Sequence, residues 1–175
     1  MDPSDHDLMA RVAQGDGRAF RTLAQRHAGS ALGLARRILG SEALAEDVVQ
    51  DALLRVWTNA PRWRPEAAFR TWLYRVVVNL CLNARRRTPD LPLAEAGDVA
   101  DSAAQADDAL QQRERDRELN AAIAALPDRQ RAAIALTYQE GLSNAEVAAV
   151  LDTSVSSVEA LLVRARQSLR ATLSE

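Results

Sequence analysis

The first 87 residues predict four helices, because apolar positions recur every three or four residues between residues that cap or break helices. A short helix is expected over Asp5–Gln14, with Ser4 as its N-cap and Gly15 after its end. Prolines 61 and 65 exclude a continuous helix between them. The longer helices are expected at about Arg18–Leu39, Glu42–Asn59 and Glu66–Arg87.

The rest of the chain has a weakly patterned segment followed by further helices. Residues 88 to about 108 are acidic and lack an amphipathic stripe, which indicates a linker. Helices are expected at about Ala109–Leu126, from Pro127 at a first helical position to near Gly141, and at Asn144–Leu151 and Val155–Leu173. The pattern predicts an all-α protein with two small helical domains, 1–87 and 113–175, joined by an acidic linker, 88–112.

Charge divides the chain in the same way as the helical pattern. Residues 1–87 carry a net charge of +5, residues 88–112 of −6 and residues 113–175 of −1. No stretch is apolar for the roughly 20 residues that a membrane span needs, and the acidic N-terminus does not resemble a secretory signal. The single cysteine, Cys81, excludes an intramolecular disulfide. We therefore expect a cytoplasmic protein without membrane insertion.

A helix-turn-helix is predicted at the C-terminal end. Ser143 and Glu146 form a capping box sequence, and a turn of three residues, 152–154, separates two helical segments. In such a motif the second helix enters the major groove. The early polar residues of this helix, Ser156, Ser157 and Glu159, would face bases. The later arginines would lie near phosphates; these are Arg164, Arg166 and Arg170. The alternative is an ordinary helical hairpin with a solvated arginine face.

The fourth helix and the loop before it predict a second DNA-binding surface. The apolar stripe through Phe69 would be buried. Trp63 lies between two arginines in the proline-flanked loop. Aromatic rings that alternate with arginines suit single-stranded DNA, because bases stack on the rings while arginine neutralises phosphates. A polar row lies beside the stripe: Arg75, Asn79, Asn83 and Arg86. The alternative is that Phe69 and Trp72 are core and that the arginines at 85–87 only cap the helix.

The third helix carries an acidic ridge, which we define as Glu46, Asp47, Gln50 and Asp51. Arg55 lies four residues after Asp51 and is expected to pair with it. Such a ridge is either a solvated face or a docking surface for a basic partner. Catalysis is not indicated, since the two histidines lack metal-ligand spacing and no glycine-rich phosphate loop exists. Neither a cofactor nor a metal is expected, and Cys81 is expected to be a small buried side chain.

These segments resemble a known family. Residues 45–52, AEDVVQDA, and 69–79, FRTWLYRVVVN, closely resemble region 2 of extracytoplasmic-function (ECF) sigma factors. Residues 126–143, with Glu146-Val147-Ala148 and Arg164-Ala165-Arg166, resemble their region 4. The two motif sets cover nearly the whole chain outside the linker, in the expected order.

The resemblance implies a bacterial transcription initiation factor rather than an enzyme. The acidic ridge would contact the clamp helices of the largest subunit of core RNA polymerase. Promoter DNA would be the second partner, with an anti-sigma factor as regulator. The residues implied to recognise and melt the −10 element are Arg62, Trp63, Arg64, Trp72, Arg75, Asn79, Asn83 and Arg86. Those implied to read the −35 element are Ser143, Ser154, Ser156, Ser157, Glu159, Ala160 and Arg164.

The recognition helix departs from the family pattern. Many members carry basic residues where this chain has Glu159, Ala160 and Leu161. A glutamate there would accept a hydrogen bond from a cytosine amino group, or it would simply be solvated. Two other readings of the chain remain. A sigma-like decoy would bind an anti-sigma factor without DNA, and a stand-alone helix-turn-helix repressor would leave the acidic ridge unexplained.

Overall fold

A computed structural model describes residues 2–88 and 106–174, with backbone only at 106–109. Every regular element in these ranges is helical, which confirms the all-α fold class. A 3-10 turn, Ala60–Arg62, follows α3, and a π-helical turn, Ala135–Gln139, continues α6. The helices are α1 (Asp5–Val12), α2 (Gly17–Leu39), α3 (Glu42–Asn59), α4 (Phe69–Arg87), α5 (Ala106–Ala124), α6 (Asp128–Ile134), α7 (Asn144–Leu151) and α8 (Val155–Leu173).

Local sequence explains most helix ends. Ser4 caps α1 and Ser41 caps α3, each side chain accepting from a backbone N–H of the first turn. Gly40 ends α2 with φ +64°, a left-handed conformation that glycine adopts without strain. Asp152 ends α7 with φ +51°, where a non-glycine residue is uncommon. These caps confirm the predicted starts of α1 and α3 and the predicted end of α2.

Helices α1–α4 form one bundle, which we call the N-terminal bundle. Helix α2 packs against α1, α3 and α4, and α3 also packs against α4. The faces that meet carry apolar side chains that are almost fully buried, among them Leu34, Val56, Leu73 and Val77. Cys81 is also buried, which confirms its predicted packing role.

Helices α5–α8 form the C-terminal bundle, and the two bundles pack against each other. Helix α8 packs on α5, α6 and α7, while α7 lies against α4 and α6 against α2. The buried apolar residues of both bundles form one continuous core. None of the helices in the described ranges combines the length and hydropathy that crossing a bilayer requires.

Several predicted boundaries differ from the structure, among them the end of α1, at Val12 rather than Gln14, and the end of α5, at Ala124 rather than Leu126. Helix α4 begins at Phe69 rather than Glu66, and the intervening residues form a turn. Pro127 is the N-cap of α6 and not its first helical residue, with ψ 144° outside the helical region. Helix α5 begins at Ala106, inside the segment predicted as linker. The rest of that linker, residues 89–105, lies outside the described residues, and the two-domain boundaries remain predictions.

Candidate functional surfaces

The acidic ridge lies on the outer face of α3. Glu46, Asp47 and Gln50 are exposed, and Asp51 is half-buried. The carboxylate of Asp51 lies 3.6 Å from Nε of Arg55, which confirms the predicted pair. The opposite face of α3 is buried through Ala45, Val48, Val49, Ala52 and Val56. The fold therefore depends on the inner face of this helix, and the ridge is available to a partner.

An open groove runs beside the ridge between α2 and α3. It has a volume of about 460 Å³ and is lined by Ala28, Gly29, Leu32, Glu46, Val49 and Gln50. Small residues on α2 leave the space, since a Cβ added at Gly29 would meet no atom within 4 Å. The apolar floor lies next to Glu46 and Gln50 at the edge. This combination suits apolar side chains of a partner helix whose flanks carry basic groups.

Trp63 is half-buried at the end of the 3-10 turn rather than projecting into solvent. Its ring lies 5.7 Å from the ring of His6 and 6.3 Å from that of Phe69. The indole N–H is buried and has no hydrogen-bond partner among residues 2–88 and 106–174. Arg62 and Arg64 on either side are exposed. The predicted loop site therefore has two accessible cations around a tryptophan that is partly held by the bundle.

Helix α4 separates a buried stripe from an exposed polar row, as predicted. Phe69 is 5% exposed, which confirms its expected place in the core. Arg75, Asn79, Asn83 and Arg86 are all exposed, and Trp72 is half-buried with its ring 5.9 Å from Phe69. A guanidinium nitrogen of Arg86 donates to the amide oxygen of Asn83. The structure thus brings the predicted −10 residues of α4 onto one face.

Glu140 joins the two bundles, a contact that no pattern in the sequence predicted. Its side chain is only 9% exposed. Tyr74 donates from its hydroxyl to Oε2 at 2.6 Å, and Arg37 donates to Oε1 at 3.1 Å. Arg70 donates to the main-chain carbonyl of Glu140 and lies 3.8 Å from Oε2. Burial, and then the Glu140 hydrogen bond, raises the pKa of Tyr74, so the phenol remains a donor at neutral pH.

A second junction is the buried guanidinium of Arg131. Its Nη1 donates to the carbonyl of Ile38 at the end of α2, at 2.6 Å. Its Nη2 donates to the carbonyls of Ala124 and Leu126 at 2.7 Å each, and its Nε donates to that of Ile123 at 3.3 Å. Burial lowers the pKa of this guanidinium. One side chain therefore satisfies carbonyls at the ends of helices in both bundles.

The helix-turn-helix is formed by α7 and α8, as predicted. Ser143 caps α7 reciprocally with Glu146, and their hydrogen bonds lower the pKa of the Glu146 carboxyl. Ser154 caps α8, with its hydroxyl 3.0 Å from that of Ser156 and 2.8 Å from that of Ser157.

The outward face of α8 carries the residues predicted to meet DNA. Ser156, Ser157, Glu159 and Arg164 are exposed, and Ala160 is half-buried. Arg166, which was expected near phosphates, donates from Nε to the hydroxyl of Tyr138 at 2.9 Å.

One predicted −10 residue touches the helix-turn-helix. Arg75 of α4 lies 3.2 Å from the carboxylate of Asp152, the residue that ends α7. Arg85 at the end of α4 lies 3.2 Å from Asp128 at the start of α6. The two predicted DNA-binding surfaces are therefore neighbours in this arrangement.

Family models match both parts of the chain. Residues 23–89 match Sigma-70 region 2, and residues 116–169 match Sigma-70 region 4. Together with the helical bundle and the helix-turn-helix, these matches define a sigma factor of the sigma-70 class.

Comparison with individual relatives identifies the group of sigma factors to which the chain belongs. The ECF sigma factor SigM of Mycobacterium tuberculosis is 36% identical over 169 residues, which cover 95% of this chain and 83% of the relative. The ECF sigma-E factor of Escherichia coli is 32% identical over 177 residues, covering 95% and 92%. The solved structure of CnrH in complex with the cytosolic domain of CnrY is 32% identical, with a TM-score of 0.71 and 98% of both chains covered. The chain belongs to the ECF sigma factors.

Proposed function

We propose that this chain directs bacterial core RNA polymerase to specific promoters in the cytoplasm and acts by binding rather than by catalysis. The acidic ridge would bind the clamp helices of the largest subunit. The 61–65 loop and the polar face of α4 would open the −10 element, and α8 would read the −35 element in the major groove.

The observation that carries this proposal is the pairing of the exposed acidic ridge with the α2–α3 groove. Three of the four ridge residues are exposed while the opposite face of α3 is packed in the core. Charged side chains at the edge of an apolar groove give both register and contact area to a docking helix. A ridge that only kept the helix soluble would not need the groove beside it.

The test replaces Asp47 and Gln50 with alanine together. Binding to core polymerase, measured by fluorescence anisotropy, should weaken by about tenfold or more, because truncating one partner of a hydrogen-bonded charge pair buried at an interface costs about 2–5 kcal/mol. The thermal unfolding midpoint should stay unchanged, since both side chains are exposed. A Glu118→Ala variant, altered at an exposed carboxylate on α5, is the matched control and should bind like the parent. Unchanged binding by the double variant would reject the ridge as the docking site.

Promoter binding would require the two bundles to separate. Elements centred at −10 and −35 lie about 25 base pairs, or about 85 Å, apart along B-DNA. Helix α4 packs on α7 and α7 on α8, and two successive helix contacts span only about 20 Å. The 17 residues between Thr88 and Ala106 could reach about 60 Å if fully extended. This connection covers about 60 of the 85 Å, and the bundles themselves, whose helices α4 and α8 have 19 residues and are about 28 Å long, would span the remaining 25 Å.

We infer that an anti-sigma factor regulates this chain. The support is CnrH, which is 32% identical and was solved in complex with the cytosolic domain of another protein, CnrY. A decoy would also bind such a regulator but would not start transcription. Run-off transcription with core polymerase separates the two functions, because only an initiation factor yields promoter-specific transcripts.

A further inference from the structure

Three side chains form a row on the outward face of α8. Val155, Glu159 and Val163 are spaced by four residues, so they share one helix face and are about 6 Å apart along the axis. Val155 is 42% exposed and Val163 is 47% exposed, and Glu159 between them is also exposed. We call these three residues the reading row.

The orientation of the row is fixed by the opposite face of α8. Val158, Leu162 and Ala165 are at most 2% exposed in the core of the C-terminal bundle. Rotation of the helix that hid the two valines would therefore expose these core residues. Valine is also a weaker helix former than alanine or leucine, because its β-branch restricts its rotamers. Helix stability therefore does not explain why Val155 and Val163 are exposed, each about one turn from Glu159.

Glu159 has no intramolecular role in the described part of the chain. It makes no hydrogen bond or ion pair there, and no basic residue occurs from Val155 to Val163. By contrast, the glutamates at 140 and 146 each have a structural partner. The carboxylate of Glu159 is therefore available to a group outside the chain.

The chemistry of base edges selects one partner for this carboxylate. An ionised carboxylate only accepts hydrogen bonds. In the major groove guanine presents two acceptors and thymine an acceptor and a methyl group, while adenine has its amino donor beside the N7 acceptor. Cytosine alone presents an amino donor without an acceptor on the same base. The exposed valines are suited to the methyl group of thymine, which is the apolar group on a major-groove edge.

We propose that Glu159 reads a cytosine in the −35 duplex and that Val155 and Val163 contact thymine methyl groups on either side of it. This inference rests on the proposed function, in which α8 lies in the major groove. The 6 Å between neighbouring row residues corresponds to at most about two base pairs at a rise of 3.4 Å. The thymines are thus expected within about two base pairs of the cytosine.

The experiment uses the full chain with Escherichia coli core polymerase. The template library has a fixed −10 element and a randomised −35 element, and the transcribed templates are sequenced. The parent chain should enrich cytosine at one position by about tenfold or more, since a well-placed base contact discriminates by that much. Thymine should be enriched near it to a smaller extent.

Substitutions at one position make the test specific. Glu159→Gln should move the preference at that position from cytosine to adenine, because an amide pairs with the adenine N6 and N7 groups. Glu159→Ala should remove the preference at that position. Glu114→Gln, which changes an exposed glutamate on α5 in the same way, is the matched control and should keep the preference of the parent.

The possible outcomes distinguish failure of this inference from failure of the proposed function on which it rests. Promoter-specific transcripts whose −35 preference is the same for the parent and both Glu159 variants would overturn the reading row and leave the proposed function standing. No promoter-specific transcripts from the parent chain would overturn both. A preference that follows the side chain at position 159 would establish the row as the −35 reader.

Discussion

The N-terminal and C-terminal bundles differ in net charge. Residues 1–87 carry a net charge of +5, with exposed arginines beside Trp63 and along α4, whereas residues 113–175 carry −1. Phosphate neutralisation supplies affinity that is independent of sequence, and base-edge contacts supply discrimination. In the proposed function, the N-terminal bundle would supply affinity and strand opening, and the C-terminal bundle would supply discrimination once the protein is docked on polymerase.

The largest expected effect lies where the bundles meet. Arg131→Ala should destabilise the chain by about 3–5 kcal/mol, because it leaves several buried carbonyls without a donor. At about 2–4 °C per kcal/mol for this chain length, the unfolding midpoint should fall by about 10 °C. Arg164→Ala, at an exposed position, should change stability by less than about 0.5 kcal/mol. Equal effects of the two variants in calorimetry would refute the role of Arg131 as a junction.

A second prediction tests the strand-opening role of the N-terminal bundle. Trp63→Ala should slow promoter opening by about tenfold to a hundredfold, because stacking of one base on an aromatic ring contributes about 1–3 kcal/mol. The measurement is 2-aminopurine fluorescence in the −10 element. Since Trp63 also packs against His6 and Phe69, Trp63→Phe is the control that keeps an aromatic ring in place. If alanine and phenylalanine open the promoter equally well, stacking on this residue is not used.

A third prediction concerns the carboxylate between the bundles. Glu140→Gln should destabilise the packed arrangement by about 1–2 kcal/mol, since it removes the charge that faces Arg37 and Arg70. The destabilisation is small because the side chains of both arginines are more than 40% exposed, so that solvent screens their charges. Tyr74→Phe should remove about 1 kcal/mol, from one hydrogen bond. Urea denaturation measures the free energy of unfolding of both variants. If it is unchanged in both, the contact between Glu140 and Tyr74 does not stabilise the packed arrangement.

The smallest effect is expected at the helix-turn-helix cap. The pKa of Glu146 is lowered in the folded state by its hydrogen bonds with Ser143. The stability that this cap contributes is therefore present above the unfolded pKa, about 4.3, and is lost as the pH falls through the lower folded pKa. Glu146→Gln should reduce stability at pH 7 by a few tenths of a kcal/mol and should flatten that part of the acid profile. A profile identical to that of the parent in denaturation between pH 2 and pH 6 would show that the cap is not coupled to folding.

Local signals predicted the helices and their caps well, because those depend on residues close in sequence. Ser4, Gly40 and Ser143 act through neighbours within one turn. The outward faces of α3, α4 and α8 followed from helical periodicity, which placed the acidic ridge and the polar row of α4 on those faces.

The contacts between the bundles could not be predicted from the sequence. Glu140 and Tyr74 are 66 residues apart in the sequence, and Arg131 and Ile38 are 93 residues apart. A local sequence pattern does not predict contacts between residues so far apart in the chain. The π-helical turn at Ala135–Gln139 precedes Glu140 and has no distinctive sequence signal. The half-buried state of Trp63 was missed for the same reason, since His6 comes from α1.

Mapping of transcript start sites tests the division of labour between the two bundles most directly. Core polymerase with this chain would be supplied with fragmented genomic DNA, and the starts would be compared with those from core polymerase alone. We expect new start sites that share two upstream elements, near −10 and −35, at a fixed spacing. New start sites that share only one element, or no new start sites at all, would contradict this division of labour.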